Sequence, residues 1–155
     1  MKILYTIGYT KKSLKQFIQL LKSKDIKKII DIRLRNTSQL AGFAKADDLK
    51  YILETYEKIQ YKYIPTLAPT DEILDNYKQT KNWDIYSIAF NELMKTRAME
   101  KIIAQELNDS INICLLCAED IPSQCHRRLV AEYYKKFDAE ISIIHLTKRD
   151  LKMNL

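Results

Sequence analysis

The run INICLLCA, Ile111 to Ala118, constrains the fold more than any other stretch. It is apolar almost without a break, the pattern of a strand buried on both faces, and such strands belong to parallel sheets covered by helices on either side. The rest of the chain has to supply that cover.

It does so in alternation. Residues 3–7 (ILYTI) form a short apolar run ending at Gly8, where the chain is expected to turn. Leu14, Phe17, Ile18 and Leu21 then fall on one helical face, with Thr10 or Ser13 as the cap. Lys27 to Leu34 (KKIIDIRL) reads as a second strand, and its distance from the first suits a parallel crossover. After the polar loop RNTSQLAGFAKAD, the stripe Leu49, Ile52, Leu53 and Tyr56 predicts a helix capped at Asp47 or Asp48. Ile59 to Pro65 is a third strand, closed by its proline. Between Asp71 and Asn108 the apolar positions keep helical spacing throughout, which predicts two or three helices and no strand. Beyond the apolar run, Pro122 to Phe137 reads as a helix begun by Asp120 and the N1 proline, and Ile141 to Thr147 as a last strand.

The order predicts a single three-layer α/β domain over residues 1–155, with a mainly parallel sheet of about five strands between helices and a helical segment at about 71–108. Hydrophobic residues make up 46% and charged ones 30%, with two glycines and three prolines, so the chain has the material for a core without staples. Three cysteines and no secretory signal point to free thiols in a reducing, cytoplasmic setting, and no segment suits a membrane. The net charge of +6 permits an anionic partner, either a small ligand or a nucleic acid, without requiring one.

In sheets of this kind ligands bind outside the carboxyl ends of the strands. Those ends carry Gly8-Tyr9-Thr10, Asp31-Ile32-Arg33 with Arg35 and Ser38, Cys117-Ala118-Glu119 running on to Cys125-His126-Arg127-Arg128, and His145. Asp31 and Arg33, two apart on a strand, point to one face and can hold each other or share a ligand.

Several chemistries are set aside on spacing. Cys114 and Cys117 spell C-x-x-C, but on a strand that offset sends the thiols to opposite faces. Zinc on Cys117, Cys125 and His126 is disfavoured because adjacent helical residues diverge by about 100° and no fourth ligand is recognisable; the expected metal set is therefore none. Neither Cys117 nor Cys125 has an arginine six residues on, since Ser123 and Ala131 stand there, so the thiol-phosphatase cradle is missing. No glycine-rich dinucleotide or Walker loop exists, and no cofactor is named. There remain Cys117 as nucleophile, Glu119 as base, His126 as acid or base and Arg33 and Arg127 as anion anchors.

Thr6-Ile7-Gly8-Tyr9-Thr10, Asp31-Ile32-Arg33 with Ser38 and Phe43, Tyr61 through Pro65 with Leu67, and Leu115 to Glu119 followed by Cys125-His126-Arg127 together resemble the bacterial and archaeal domain of unknown function 488 family. The resemblance implies a compact three-layer α/β domain with these residues gathered in one pocket. Family members often carry His-Ser after the first Ile-Gly. Tyr9-Thr10 stands there instead, so Thr10 can keep a serine-like hydroxyl while a histidine's duty is absent.

The expected function is an enzyme acting on a small anionic substrate, of the nucleotide or modified-nucleobase class, with Cys117, Glu119, His126 and Asp31 catalytic and Arg33, Arg127, Thr10, Ser38 and Cys125 binding substrate. The alternatives are a non-catalytic nucleic-acid or ligand-binding module, in which Tyr51, Tyr56, Tyr133 and Tyr134 are expected in the core rather than as stacking platforms, and a thiol redox or metal protein. The sequence leaves the oligomeric state open.

Overall fold

Along the apolar run, Ile113 and Leu115 bury themselves in one hydrophobic layer and Cys114 and Leu116 in the other, so the strand has a core on each face. It is the central strand of the sheet. The computed structural model describes residues 2–107 and 110–154, the last three of these as backbone only. Its strands are β1 (Lys2–Gly8), β2 (Ile26–Asp31), β3 (Gln60–Tyr63), β4 (Asn112–Cys117) and β5 (Ile141–Leu146), all parallel, in the order β3-β2-β4-β1-β5. The helices among the described residues are α1 (Leu14–Ser23), α2 (Ala46–Tyr56), α3 (Asp71–Thr80), α4 (Trp83–Thr96), α5 (Met99–Glu106) and α6 (His126–Lys135). The predicted helical segment extends to Asn108, which lies outside the described residues.

The strand order dictates where the helices go. The chain steps from β1 over β4 to β2 and outward to β3, then returns to β4 and crosses β1 to reach β5. Right-handed crossovers in opposite directions put α1 and α2 on one face and α3 to α6 on the other. The packing follows: Phe17, Leu20, Leu21, Leu49 and Leu53 lie against Tyr5, Ile7, Ile29 and Leu116. Phe90, Met94, Met99, Ile103, Val130 and Tyr133 lie against Leu4, Ile30, Ile113 and Leu115. The connections leaving β1 and β2 therefore diverge from the one leaving β4, which opens a crevice at the carboxyl ends of these neighbouring strands.

Local chemistry fixes the ends. Ser13 caps α1 through a full capping box, its hydroxyl accepting from Gln16 N while the Gln16 side chain accepts from Ser13 N. Asp47 and Asp48 stand in the first turn of α2, where they favour the helix dipole, but the cap position is Lys45. The loop before it contains a 3-10 segment, Gln39–Ala44, started by Ser38.

Three expectations are corrected. The helix after β4 does not begin at Pro122: residues Pro122–Gln124 make one 3-10 turn, Cys125 is extended (φ −134, ψ 139), and α6 starts at His126. Asp120 is accordingly no cap; its carboxylate takes the Lys12 ammonium and the Lys148 N–H. Tyr51 and Tyr56 are not core residues but 59% and 67% exposed, in edge-to-face contact with each other. Tyr51 lies about 200° around the helix from Leu49, and Tyr56 is the last helical residue. Gly8 makes no turn by unusual backbone; it ends β1 where a side chain would strike the Glu119 carbonyl.

Candidate functional site

The register brings the strand ends together: Gly8 lies beside Cys117, and Asp31 beside Leu116. Past them the chains stay tied. Tyr9 N donates to Cys117 O, and both the N–H and the hydroxyl of Thr10 donate to Ala118 O, the hydroxyl at 2.9 Å. Thr10 thus braces the β1 loop against the β4 loop.

Cys117 ends β4 and points to the α6 layer. Its Sγ lies 3.2 Å from His126 Nδ1, while His126 Nε2 is 2.7 Å from the Ile32 carbonyl oxygen. A carbonyl can only accept, so Nε2 carries the proton and Nδ1 is the unprotonated nitrogen; Sγ, also 3.8 Å from Nε2, lies toward the ring face, and a turn of the imidazole or of the thiol brings it into line with the Nδ1 lone pair. The Phe90 ring, edge-on at 5.6 Å, packs against the imidazole. Burial opposes the Cys117 thiolate, but the Cys125 thiol, the Ala118 backbone and the Arg127 charge outweigh it and hold this thiol below its ordinary range. The reverse applies to Cys125, pushed up by its hydrogen bond to Cys117 and by burial, and to Cys114, pushed up by burial on the opposite face. The two thiols of C-x-x-C do not meet.

Asp31 is fully enclosed and accepts from Arg33 N, Nε (2.9 Å) and Nη2 (2.8 Å), from Asn36 Nδ2 (3.1 Å) and from the Tyr61 hydroxyl. Its oxygens are saturated, which makes it the holder of Arg33. Burial and the carboxylate together push the Tyr61 hydroxyl well above its usual range. Arg33 lies with its Cζ 5.2 Å from the centre of the Tyr9 ring. Arg127 is equally occupied: Nε donates to Thr6 Oγ1 (2.9 Å), Nη1 to Glu119 O and Nη2 to Asp120 O (2.9 Å), with no exposed surface. It is a strut that shapes the β4 loop. Through Thr6 it also reaches His145, whose Nδ1 lies 2.6 Å from the same hydroxyl.

A cleft of about 240 Å³ opens above Cys117, lined also by Tyr9, Arg33, Arg35, Glu119, Cys125 and His126. Of the sequence-predicted residues, Cys117, Glu119, Cys125, His126 and Arg33 line it, whereas Asp31, Arg127, Thr10 and Ser38 do not. Ser38 is exposed and starts the 3-10 segment. The Glu119 carboxylate is exposed at the cleft and has no side-chain partner among the described residues. Sequence reasoning missed the opposite wall, formed by Tyr77, Lys78, Trp83 and Tyr86. The Trp83 and Tyr86 rings stack at 5.0 Å, with Tyr77 packed against both. Burial beside Cys117 and Cys125 pushes the Tyr86 hydroxyl up. The density of aromatics between positions 77 and 86 was the available signal, but helical spacing made it look like core.

These features define a class: three-layer α/β proteins with a thiol and an imidazole paired at the carboxyl rim of an all-parallel sheet. The model of the family described as Domain of unknown function DUF488 matches residues 13–134, most of the chain, and the protein belongs to that family. No curated protein and no solved structure matches the chain. No helix among the described residues is long and apolar enough to cross a membrane.

Proposed function

We propose that the protein is an enzyme acting on a small anionic substrate of the nucleotide or modified-nucleobase class, with Cys117 as nucleophile and His126 as its base. The observation that carries this reading is the Sγ to Nδ1 approach of 3.2 Å, with the ring's other nitrogen tied to Ile32 O. A nucleophile, a base and a group that orients the base are the parts of thiol catalysis. The imidazole takes the thiol proton as sulfur attacks, then returns it to the leaving group. Glu119, at the cleft with its oxygens open, serves the second proton transfer. Arg33, held by Asp31, contacts the anionic group together with Arg35 and Lys78, and the Tyr77, Trp83 and Tyr9 rings suit a planar base. The cleft volume fits a ligand below ordinary drug size.

A metal-free thermal-shift screen of nucleotides, nucleobases and phosphate esters tests this reading. One class should raise the melting temperature, by about 2.7 kcal/mol of stabilisation at 100 times its Kd. With that substrate, Cys117→Ala and His126→Ala should bind but lose turnover, the latter by roughly 10²-fold or more. Folded variants that keep full turnover, or no stabilisation by any class, refute it. The exposed Tyr51 and Tyr56 rings favour a second reading, nucleic-acid binding without catalysis. Its mark is affinity that falls steeply with salt and with the loss of either ring.

A further inference from the structure

We infer that Cys117, Cys125 and His126 form a site for one thiophilic divalent cation of the zinc type, with its fourth coordination position open to the cleft. The thiol sulfurs and imidazole nitrogen of these three buried residues all lie within 4.8 Å of one another. A tetrahedral zinc with ordinary bond lengths sets its sulfurs about 3.8 Å apart and sulfur and nitrogen about 3.6 Å apart. The 3.2 Å between Cys117 Sγ and His126 Nδ1 is close to that span, and because Sγ also lies 3.8 Å from Nε2 the imidazole turns to aim Nδ1 at the cation as it enters.

The sequence argued against such a site because consecutive residues of one helix diverge. That premise fails here. Cys125 is extended and precedes the helix, and the 3-10 turn at Pro122–Gln124 carries its thiol back to Cys117 while His126 begins α6. The remaining requirement, a fixed imidazole, is met by the Ile32 carbonyl. Metal-bound histidines commonly donate their other N–H to such a group, which fixes the tautomer and leaves the facing nitrogen free to ligate.

Binding converts two thiols to thiolates, releases their protons to solvent and changes no oxidation state. Two thiolates balance the cation's charge. Three protein ligands, all lining the cleft, leave the fourth position to water or to the anionic group of a ligand there. In the loaded form His126 Nδ1 is a ligand and no longer a base, so that form lacks the proton acceptor of the proposed thiol reaction. The inference itself stands apart from the proposed enzymatic reading, since metal binding is read without turnover.

The test titrates reduced, chelator-stripped protein with Co²⁺, followed by its thiolate-to-metal charge-transfer band and then by Zn²⁺ displacement. The expected result is saturation at one equivalent per chain, with Zn²⁺ protecting Cys117 and Cys125 from alkylation in the wild-type protein. Cys125→Ser and Cys117→Ser should each weaken binding by at least about 100-fold, while Cys114→Ser, altered on the opposite face, binds like wild type. No charge-transfer band, no protection of the wild-type thiols, or undiminished binding in folded Cys125→Ser overturns the inference. Failure here together with fast Cys117 alkylation in chelator leaves the enzymatic reading standing, and the converse pair of results leaves the metal site.

Discussion

Replacing Gly8 by alanine probes the contact on which the geometry of the cleft depends. An ideal Cβ at this position falls 1.7 Å from the Glu119 carbonyl oxygen, 2.4 Å from its carbon and 2.9 Å from Ala118 O. A carbon–oxygen contact needs about 3.3 Å, so the loop after β4 must retreat by about 1.6 Å. Backbone atoms cannot swing aside as a flexible side chain can. The retreat strains or breaks four hydrogen bonds: Tyr9 N to Cys117 O, Thr10 N and Oγ1 to Ala118 O, and Arg127 Nη1 to Glu119 O. At about 1 kcal/mol net each they sum to about 4 kcal/mol. Alanine's restriction of the unfolded chain returns less than about 1 kcal/mol, so the loss wins by about 3 kcal/mol. For a chain of this size that lowers the melting temperature by roughly 6–12 °C. Differential scanning calorimetry reads the shift, and Cys117, carried away from His126, should alkylate more slowly. A melting temperature within about 2 °C of wild type refutes the reasoning.

Other consequences are equally direct. Arg127→Lys keeps the charge but offers one ammonium to three fixed acceptors, Thr6 Oγ1, Glu119 O and Asp120 O, and so forfeits two charge-assisted hydrogen bonds; chemical denaturation should show a loss of about 3–5 kcal/mol; a loss under about 1 kcal/mol would mean the strut is dispensable. Burial opposes the Glu106 carboxylate, but Lys28 at 2.6 Å and Lys62 outweigh it and depress its pKa. The folded value lies below the unfolded one, so this stabilisation is full above the ordinary glutamate range, about 4.3, and is lost as pH falls through the folded value. Glu106→Gln should therefore destabilise by about 1–3 kcal/mol at neutral pH, with the gap narrowing in acid; a gap constant with pH contradicts the pairing. Phe90→Ala should cost about 3–5 kcal/mol in urea titrations, whereas Tyr51→Ala should stay within about 0.5 kcal/mol; similar values for both would contradict their burial.

Much of the fold is legible in the sequence because it depends on periodicity. The doubly buried run around Leu115 announces a central parallel strand, and the stripes at Phe17 and Leu53 announce helices over it. What escapes is decided by single backbone angles and by what arrives from elsewhere in the chain. Nothing local separates a helix started by Pro122 from a 3-10 turn followed by extended Cys125, yet that break gathers the two thiols and the imidazole. Arg127 reads as an anion anchor until Thr6 and the Glu119 and Asp120 carbonyls are seen to occupy it. Asp31 and Arg33, two apart, do find each other as their spacing suggests, but only the fold adds Asn36 and Tyr61 and so saturates the carboxylate. The far wall of the cleft is invisible for the same reason, since Tyr77, Trp83 and Tyr86 sit at spacings that also suit a core.

The central claim is that Cys117 is a thiol activated by His126 at the head of a cleft. Site-resolved alkylation, read by mass spectrometry on reduced protein in chelator at neutral pH, tests it most directly. Cys117 should be modified first, at least about 10-fold faster than in the urea-unfolded chain, with Cys114 and Cys125 lagging and the advantage lost in His126→Ala. Modification of Cys117 no faster than in the unfolded chain, or unchanged without the imidazole, contradicts the account.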